Sequence, residues 1–98
     1  MKYTVKHLPS LSRDIHKIAE ALVEYTDKAR RLLKEMDEKL ILLENTPFMW
    51  PVFQARPKYR KMVLEEHLLF YTVDAKEHIV WACRILYFKM DATRHIKD

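Results

Sequence analysis

Residues 59–88 read YRKMVLEEHLLFYTVDAKEHIVWACRILYF and contain three runs that are rich in β-branched, aromatic and aliphatic residues. The runs are YRKMVL at 59–64, HLLFYTVD at 67–74 and HIVWACRILYF at 78–88. Because only short polar segments separate them, the runs predict an antiparallel meander. Both alternating faces of the last two runs are apolar, which is typical of strands at the centre of a sheet.

Upstream of the meander, the sequence predicts a strand and then a helix. Residues 2–7, KYTVKH, alternate with the period of a strand that has one buried face, and we place this strand at a sheet edge. Pro9 follows, with Ser10 or Ser12 as the N-cap of the helix. Apolar residues then recur at helical spacing: Leu11, Ile15, Ile18, Leu22 and Tyr25.

A second helical stripe comprises Ala29, Leu33, Met36, Leu40 and Leu43. The break near Thr26 and Asp27 predicts a short turn between two helices, and the second helix should end before Pro47. Such a helical pair can cover only one face of the sheet. We therefore expect one α+β domain over residues 1–98, in the order β-α-α-β-β-β. Its N-terminal helical hairpin should pack on one face of a small, mostly antiparallel sheet.

Residues 45–58, NTPFMWPVFQARPK, hold three of the four prolines and so predict an irregular loop. A loop this apolar must pack against something. Phe48, Trp50 and Phe53 could cap the core or form an exposed adhesive surface, and core capping is the commoner outcome.

Composition excludes several classes of function. Lys and Arg outnumber Asp and Glu by 18 to 14, which favours an acidic or polyanionic partner. The single cysteine, Cys83, cannot form an intramolecular disulfide, so we expect a reducing cytoplasm and a small core side chain. Glycine is absent, which excludes the phosphate loops and dinucleotide fingerprints that require it. We expect neither a cofactor nor a membrane segment.

A basic cluster lies at the start of the meander: Arg56, Lys58, Arg60 and Lys61. It could contact phosphates or acidic side chains, or it could protect an edge strand from pairing with other chains. Arg84 is a lone charge in an apolar row of the last strand and must snorkel, find a carboxylate or point into a functional groove. A carboxylate partner, either Asp91 or an acid from the helices, would make Arg84 structural.

The histidines lack the spacing of metal ligands, and no second cysteine joins them, so we expect no metal site. Acid–base cleavage of RNA needs only a proton acceptor, a proton donor and cations around one phosphate. Tyr87, His67, His95 and the arginines have that chemical capability.

The order of elements resembles the RelE/ParE superfamily of toxins from bacterial type II toxin–antitoxin systems. The resemblance is carried by KYTVKHLPSLSRDIHKIAEAL at the start, the proline-containing end of the second helix, YRKMVLEEHLLFYTVD in the middle and RILYFKMDATRHI at the end. It implies a RelE/ParE-like fold and a cytoplasmic toxin that a cognate antitoxin neutralises. It also implies contact with operator DNA only through the antitoxin complex.

Within the superfamily, RelE-like members resemble ribosome-dependent nucleases that cut mRNA, and ParE-like members resemble inhibitors of DNA gyrase. The nuclease branch has a functional arginine in a strand of the form HRLVY, where HLLFY here has Leu68. One nuclease subgroup ends its last strand RYHY, where RILY here has Leu86 in place of the histidine and keeps Tyr87. The resemblance therefore favours the ParE-like branch, a toxin that binds gyrase and is not a catalyst.

Each interpretation assigns its own site residues. The ParE-like interpretation predicts that gyrase is bound by the end of the chain, through Arg84, Lys89, Arg94 and His95, and leaves the antitoxin surface unassigned. The alternative is a RelE-like endoribonuclease that acts on mRNA at the ribosome. It would use Arg60, Lys61 and Arg84 as phosphate contacts and Tyr87 for proton transfer.

Overall fold

The computed structural model describes residues 2–21 and 26–97. Its elements follow the chain as β1 (Thr4–His7), α1 (Pro9–Ala21), α2 (Thr26–Leu42), β2 (Arg60–Leu64), β3 (His67–Asp74), β4 (Ile79–Tyr87) and α3 (Ala92–His95). The predicted β-α-α-β-β-β order is confirmed, and the single-turn helix α3 is additional.

The four strands form one sheet in the order β1-β4-β3-β2. The strands β2, β3 and β4 are antiparallel neighbours, whereas β1 lies parallel to β4 at the edge. The meander, the edge position of the first strand and the central position of the last two are thus confirmed. In this chain without glycine, Glu65 and His78 take the left-handed φ values of 52° and 57° that the two connections between strands require.

Two details at the helix boundaries differ from prediction. The helix α1 begins at Pro9, so Ser10 and Ser12 lie inside it, and neither is its N-cap. The helix α2 begins at Thr26, so Thr26 and Asp27 lie in its first turn, and the connection between the two helices falls outside the described residues. Leu22 and Tyr25 of the first predicted stripe lie outside the described residues.

The main core lies between the helices and one face of the sheet. Helical residues Leu11, Leu32, Met36, Leu40 and Leu43 pack there with strand residues Met62, Leu69, Tyr71, Val80 and Ile85. Leu32 is 1% exposed, whereas Leu33, which the sequence stripe favoured, is only partly buried. The stripe that turns inward therefore runs through 32, 36, 40 and 43, which also has helical spacing.

A smaller core covers part of the opposite face of the sheet. Phe70, Leu86 and Ile96 are buried in it, and Phe53 and Tyr59 pack against them. The loop at 45–58 and the C-terminal segment thus shield this half of the face, while the rest of the face is open. Phe53 and Trp50 pack on the two cores as expected, but Phe48 is 52% exposed.

A β-bulge interrupts the pairing of β4 with β3, and beyond the end of β1 the side chains of α1 form hydrogen bonds with the backbone of β4. Between β3 and β4 the register shifts at Cys83, so that Phe70 faces Arg84 but Tyr71 faces Ala82. Beyond this point β1 has ended, and side chains of α1 take its place as hydrogen-bond partners of the β4 backbone. Ser10 Oγ donates to the Cys83 carbonyl at 2.6 Å. Within the described part of the chain, no helix has the length and apolar character needed to cross a bilayer.

Candidate functional site

Arg84 is fastened to the first helix by an ion pair. Its Nε and Nη2 donate to the Asp14 carboxylate at 2.6 and 3.0 Å. The same carboxylate accepts from the backbone N–H of Ile85 at 3.1 Å. The side chain of Asp14 is 7% exposed and that of Arg84 is 24% exposed. Two of the three nitrogens of the guanidinium thus connect β4 to α1 through hydrogen bonds.

The remaining guanidinium nitrogen holds the C-terminal segment. Arg84 Nη1 donates to the His95 carbonyl at 3.1 Å. Further along, Arg56 donates to the carbonyls of Thr93 and Ile96, and Tyr59 Oη donates to the Lys97 carbonyl at 2.8 Å. The segment is therefore attached by its main chain and by the buried side chain of Ile96, which leaves its charged side chains available.

Asp91 begins the helix α3 and does not contact Arg84. Its carboxylate accepts from Thr93 Oγ1 at 2.6 Å and from Thr93 N at 3.1 Å. These hydrogen bonds hold the pKa of Asp91 below its usual range. The helical acid Asp14, and not Asp91, is therefore the partner of Arg84.

Next to this joint lies a cleft of about 430 Å³ between α1, the start of α2 and the adjoining ends of β3 and β4. Its apolar residues are Ile18, Ala21, Ile85, Leu86 and Met90, and its polar residues are Asp14, Lys17, Lys28, Glu66, His67, Arg84, Tyr87 and His95. Lys28 and Glu66 form an ion pair across it at 3.2 Å. Charged groups of both signs thus surround an apolar floor, and each of the two acids is paired with a cation, Asp14 with Arg84 and Glu66 with Lys28.

His67 and Tyr87 lie side by side in the cleft. Their ring centroids are 5.7 Å apart, in an edge-to-face arrangement. Burial lowers the pKa of His67, and the neighbouring Glu66 partly offsets this effect. The imidazole is therefore neutral near pH 7 and could accept a proton.

The predicted phosphate contacts on β2 have other partners. Arg60 Nη1 donates to the carbonyls of Phe48 and Trp50, at 3.2 and 2.7 Å. Lys61 Nζ lies 5.7 Å from the ring centre of Phe53. Both side chains therefore hold the loop at 45–58 against the sheet.

The strand register also separates Arg60 from the cleft, whereas Lys61 pairs with Phe70, which in turn pairs with Arg84. Arg60 pairs with Tyr71, in the middle of the sheet, whereas Tyr87 pairs with His67 at its end. Arg84, Tyr87 and His95 line the cleft together, and Arg60 and Lys61 are not among its lining residues.

The other two predicted target contacts are exposed. Arg94 has a side chain that is 83% exposed and a weak ion pair with Asp91 at 3.5 Å. Lys89 is exposed, with its Nζ 5.7 Å from the ring centre of Phe88. Both stand on the surface just beyond the cleft.

Sequence reasoning missed Lys17 and Lys28, which line the cleft. Only the packing of the helices against the sheet brings Lys28 near Glu66, which is 38 residues further along the chain. No group of three His, Cys, Asp or Glu side chains that could hold a metal ion occurs within residues 2–21 and 26–97.

Comparison with known proteins identifies the family. The profile of the ParE toxin of the type II toxin–antitoxin system parDE matches residues 5–92. A comparison with curated protein sequences finds no significant match.

Among solved structures, the chromosomal ParDE toxin–antitoxin system from P. aeruginosa superposes with a TM-score of 0.74 at 16% identity, covering 90% of this chain and 98% of that one. The RelBE2 toxin–antitoxin complex from Mycobacterium tuberculosis gives 0.57 at 22% identity, covering 89% and 99%. The archaeal RelE–RelB complex from Pyrococcus horikoshii gives 0.54 at 16% identity, covering 91% and 98%.

The structural likenesses confirm the predicted RelE/ParE-like fold, and the profile confirms the resemblance to the ParE-like branch. This chain belongs to the ParE toxin family of type II toxin–antitoxin systems.

Proposed function

We propose that this toxin inhibits growth by binding DNA gyrase in the cytoplasm, and that a cognate antitoxin neutralises it. Membership of the ParE family supports the proposal. The similar solved structures are described as toxin–antitoxin systems or complexes, which supports an antitoxin as partner.

The observation that carries the choice of gyrase is the environment of Leu86. Its position corresponds to the histidine of the histidine-using nucleases. Here the side chain is 4% exposed and packs with Phe70 and Ile96 in the smaller core. Leu68, at the position of the nuclease arginine, packs against the same core. Both positions contribute to packing, and neither can donate a proton or stabilise an anion.

The distribution of cations also supports binding over cleavage. A nuclease needs several cations around one phosphate, yet Arg60 and Lys61 hold the loop at 45–58, and the guanidinium of Arg84 is bound to Asp14 and His95. Lys89 and Arg94, by contrast, are exposed on a short segment with a fixed main chain. We propose that these two residues and the imidazole of His95 contact the target.

One observation favours the alternative, an mRNA endoribonuclease that depends on the ribosome. His67, a neutral imidazole, adjoins the phenol of Tyr87 in a cleft that Lys17 and Lys28 also line. An acceptor, a donor and cations are thus close together. His67 and Tyr87 occupy positions of the two nuclease motifs, although Leu68 and Leu86 replace the functional arginine and histidine of those motifs.

Induced expression in bacteria, with plasmid supercoiling and mRNA 5′ ends measured in parallel, separates the two functions. The proposal predicts altered supercoiling and a DNA-damage response without new codon-positioned cuts in mRNA. Cuts in mRNA together with unchanged supercoiling would favour the nuclease instead.

A triple variant tests the proposed contacts: Lys89→Ala, Arg94→Ala and His95→Ala. Its matched control removes the same side-chain types from exposed helical sites: His16→Ala, Arg30→Ala and Lys34→Ala. The first set should abolish the effect on supercoiling while antitoxin binding persists, and the control set should retain toxicity. Equal toxicity of the two sets would refute the assignment of the contacts.

A further inference from the structure

An aromatic and basic hollow lies on the sheet face opposite the main core. It occupies the half of that face that the loop at 45–58 and the C-terminal segment leave open. Its volume is about 650 Å³, and it is lined by residues that include Lys58, Tyr59, Thr72, Lys76, Trp81 and Cys83. It lies on the opposite side of the sheet from the main core, because Val80 and Ala82 point into that core and Trp81 lies between them on β4.

The side chains form a row across the sheet. Lys6 on β1 is in register with Trp81 on β4, and Trp81 is in register with Thr72 on β3. Lys6 Nζ lies 5.6 Å from the centre of the Trp81 ring. At the other end of the row, Lys58 Nζ lies 5.8 Å from the centre of the Tyr59 ring. An aromatic surface with lysines at both ends therefore spans the hollow.

The charge around the hollow is positive. Lys6, Lys58 and Lys76 are exposed, and Asp74 is the one acid among the residues that line the hollow in the described part of the chain. The Asp74 carboxylate accepts from the backbone N–H groups of Lys76 and Glu77 at 3.1 and 3.0 Å, so it belongs to the turn between β3 and β4. None of the residues in this row belongs to the cleft.

We infer that this hollow binds single-stranded nucleic acid, with a base stacked on Trp81 and backbone phosphates near Lys6, Lys58 and Lys76. Proteins that bind single strands without sequence preference combine these two features, a stacking aromatic and a basic track along it. Thr72 adds a hydroxyl between the two aromatics. The inference does not rest on gyrase as the target, because the hollow is separate from Lys89, Arg94 and the cleft.

Fluorescence of Trp81 gives a direct test in the Trp50→Phe background, which leaves one tryptophan. Oligo(dT) and oligo(U) are titrated at several salt concentrations. Either or both should quench the signal, and the comparison tells DNA from RNA. With three lysines at phosphates, the logarithm of the association constant should fall with the logarithm of salt with a slope of about −2.

Labelled oligonucleotides, measured by anisotropy, test the residues. Trp81→Leu removes the stacking surface but keeps an apolar side chain, and it should weaken binding at least about fivefold. Lys58→Gln with Lys76→Gln should weaken binding and flatten the salt dependence. Arg30→Gln with Lys34→Gln removes the same charge from the exposed side of α2 and should change neither.

Unfolding curves show whether Trp81→Leu is folded. If it is not, the variant with Lys58→Gln and Lys76→Gln still tests the inference, because both lysines are on the surface. Equal affinity of the two charge-matched pairs would overturn it. Polyglutamate that displaces the oligonucleotide at equal charge would also overturn it, since the hollow would then recognise acidic peptides.

Discussion

The Asp14 carboxylate on α1 accepts hydrogen bonds from both Nε and Nη2 of Arg84 on β4, across 70 residues of sequence. It also accepts the N–H of Ile85, which β1 is too short to reach. Arg84 in turn donates to the His95 carbonyl. One ion pair thus joins the first helix, the end of the central strand and the C-terminal segment that carries the proposed target contacts.

Removing the charge of Asp14 should destabilise the fold. Asp14→Asn leaves a largely buried guanidinium without its counter-ion, so we expect the free energy of unfolding in urea to fall by about 3 kcal/mol. Glu20→Gln, an exposed acid of the same helix, should change it by less than about 0.5 kcal/mol. A loss below about 1 kcal/mol for Asp14→Asn would show that water readily replaces the carboxylate.

Tyr71 should hold the proline-rich loop through its hydroxyl. Tyr71 Oη donates to the Pro47 carbonyl at 2.9 Å in the buried core. Tyr71→Phe should therefore cost about 1 to 2 kcal/mol of unfolding free energy, because it leaves a buried carbonyl without a donor. Tyr87→Phe makes the same chemical change at an exposed site and provides the comparison. Equal losses in the two variants would contradict this role for Tyr71.

The lowered pKa of His67 predicts a loss of stability in mild acid. The unfolded chain binds a proton at this imidazole near pH 6.5, while the folded chain resists it because the ring is buried. Stability should therefore decrease as the pH falls from above 6.5 towards the lower pKa of the folded state. His67→Gln should reduce this dependence, measured by urea midpoints across that window, and the exposed His16→Gln should not. An unchanged slope in His67→Gln would refute the prediction.

Tyr87 separates the two candidate functions. If the toxin acts by binding gyrase, Tyr87→Phe should retain growth inhibition, because the ring and its contact with His67 remain. If the phenol transfers a proton in RNA cleavage, its loss should lower the cleavage rate by about 10²- to 10⁴-fold. Growth curves after induction, with antitoxin binding as a check of folding, measure the difference. Loss of toxicity with intact antitoxin binding would count against gyrase binding as the mode of action.

Local patterns were sufficient to predict the elements of the fold. Alternation in residues 2–7, helical spacing and the polar breaks of the meander each depend on neighbouring residues alone. The predicted stripe included Leu33, but Leu32 also fits a helical stripe, and packing against the sheet decides that Leu32 turns inward. The predicted N-cap of α1 was wrong for a related reason, since the hydroxyl of Ser10 donates to the backbone of β4 and does not cap α1.

The candidate site was predicted less completely because it depends on contacts between distant parts of the chain. A carboxylate partner, either Asp91 or a helical acid, was one of three alternatives that the sequence left open for Arg84, and only the packing of α1 selects Asp14. Arg60 is of a residue type that often contacts phosphates. Its two hydrogen bonds to loop carbonyls could not be predicted, because they depend on the path of an irregular segment. The same limitation explains why Lys17 and Lys28 were not associated with the cleft.

The most direct test of gyrase as the target is supercoiling of relaxed plasmid by purified gyrase in the presence of the purified chain. We predict that the chain inhibits supercoiling, that the variant lacking the Lys89, Arg94 and His95 side chains does not, and that the matched helical variant does. Undiminished supercoiling in an excess of the chain, with cleavage of mRNA by the same preparation in a translation extract, would contradict the proposal.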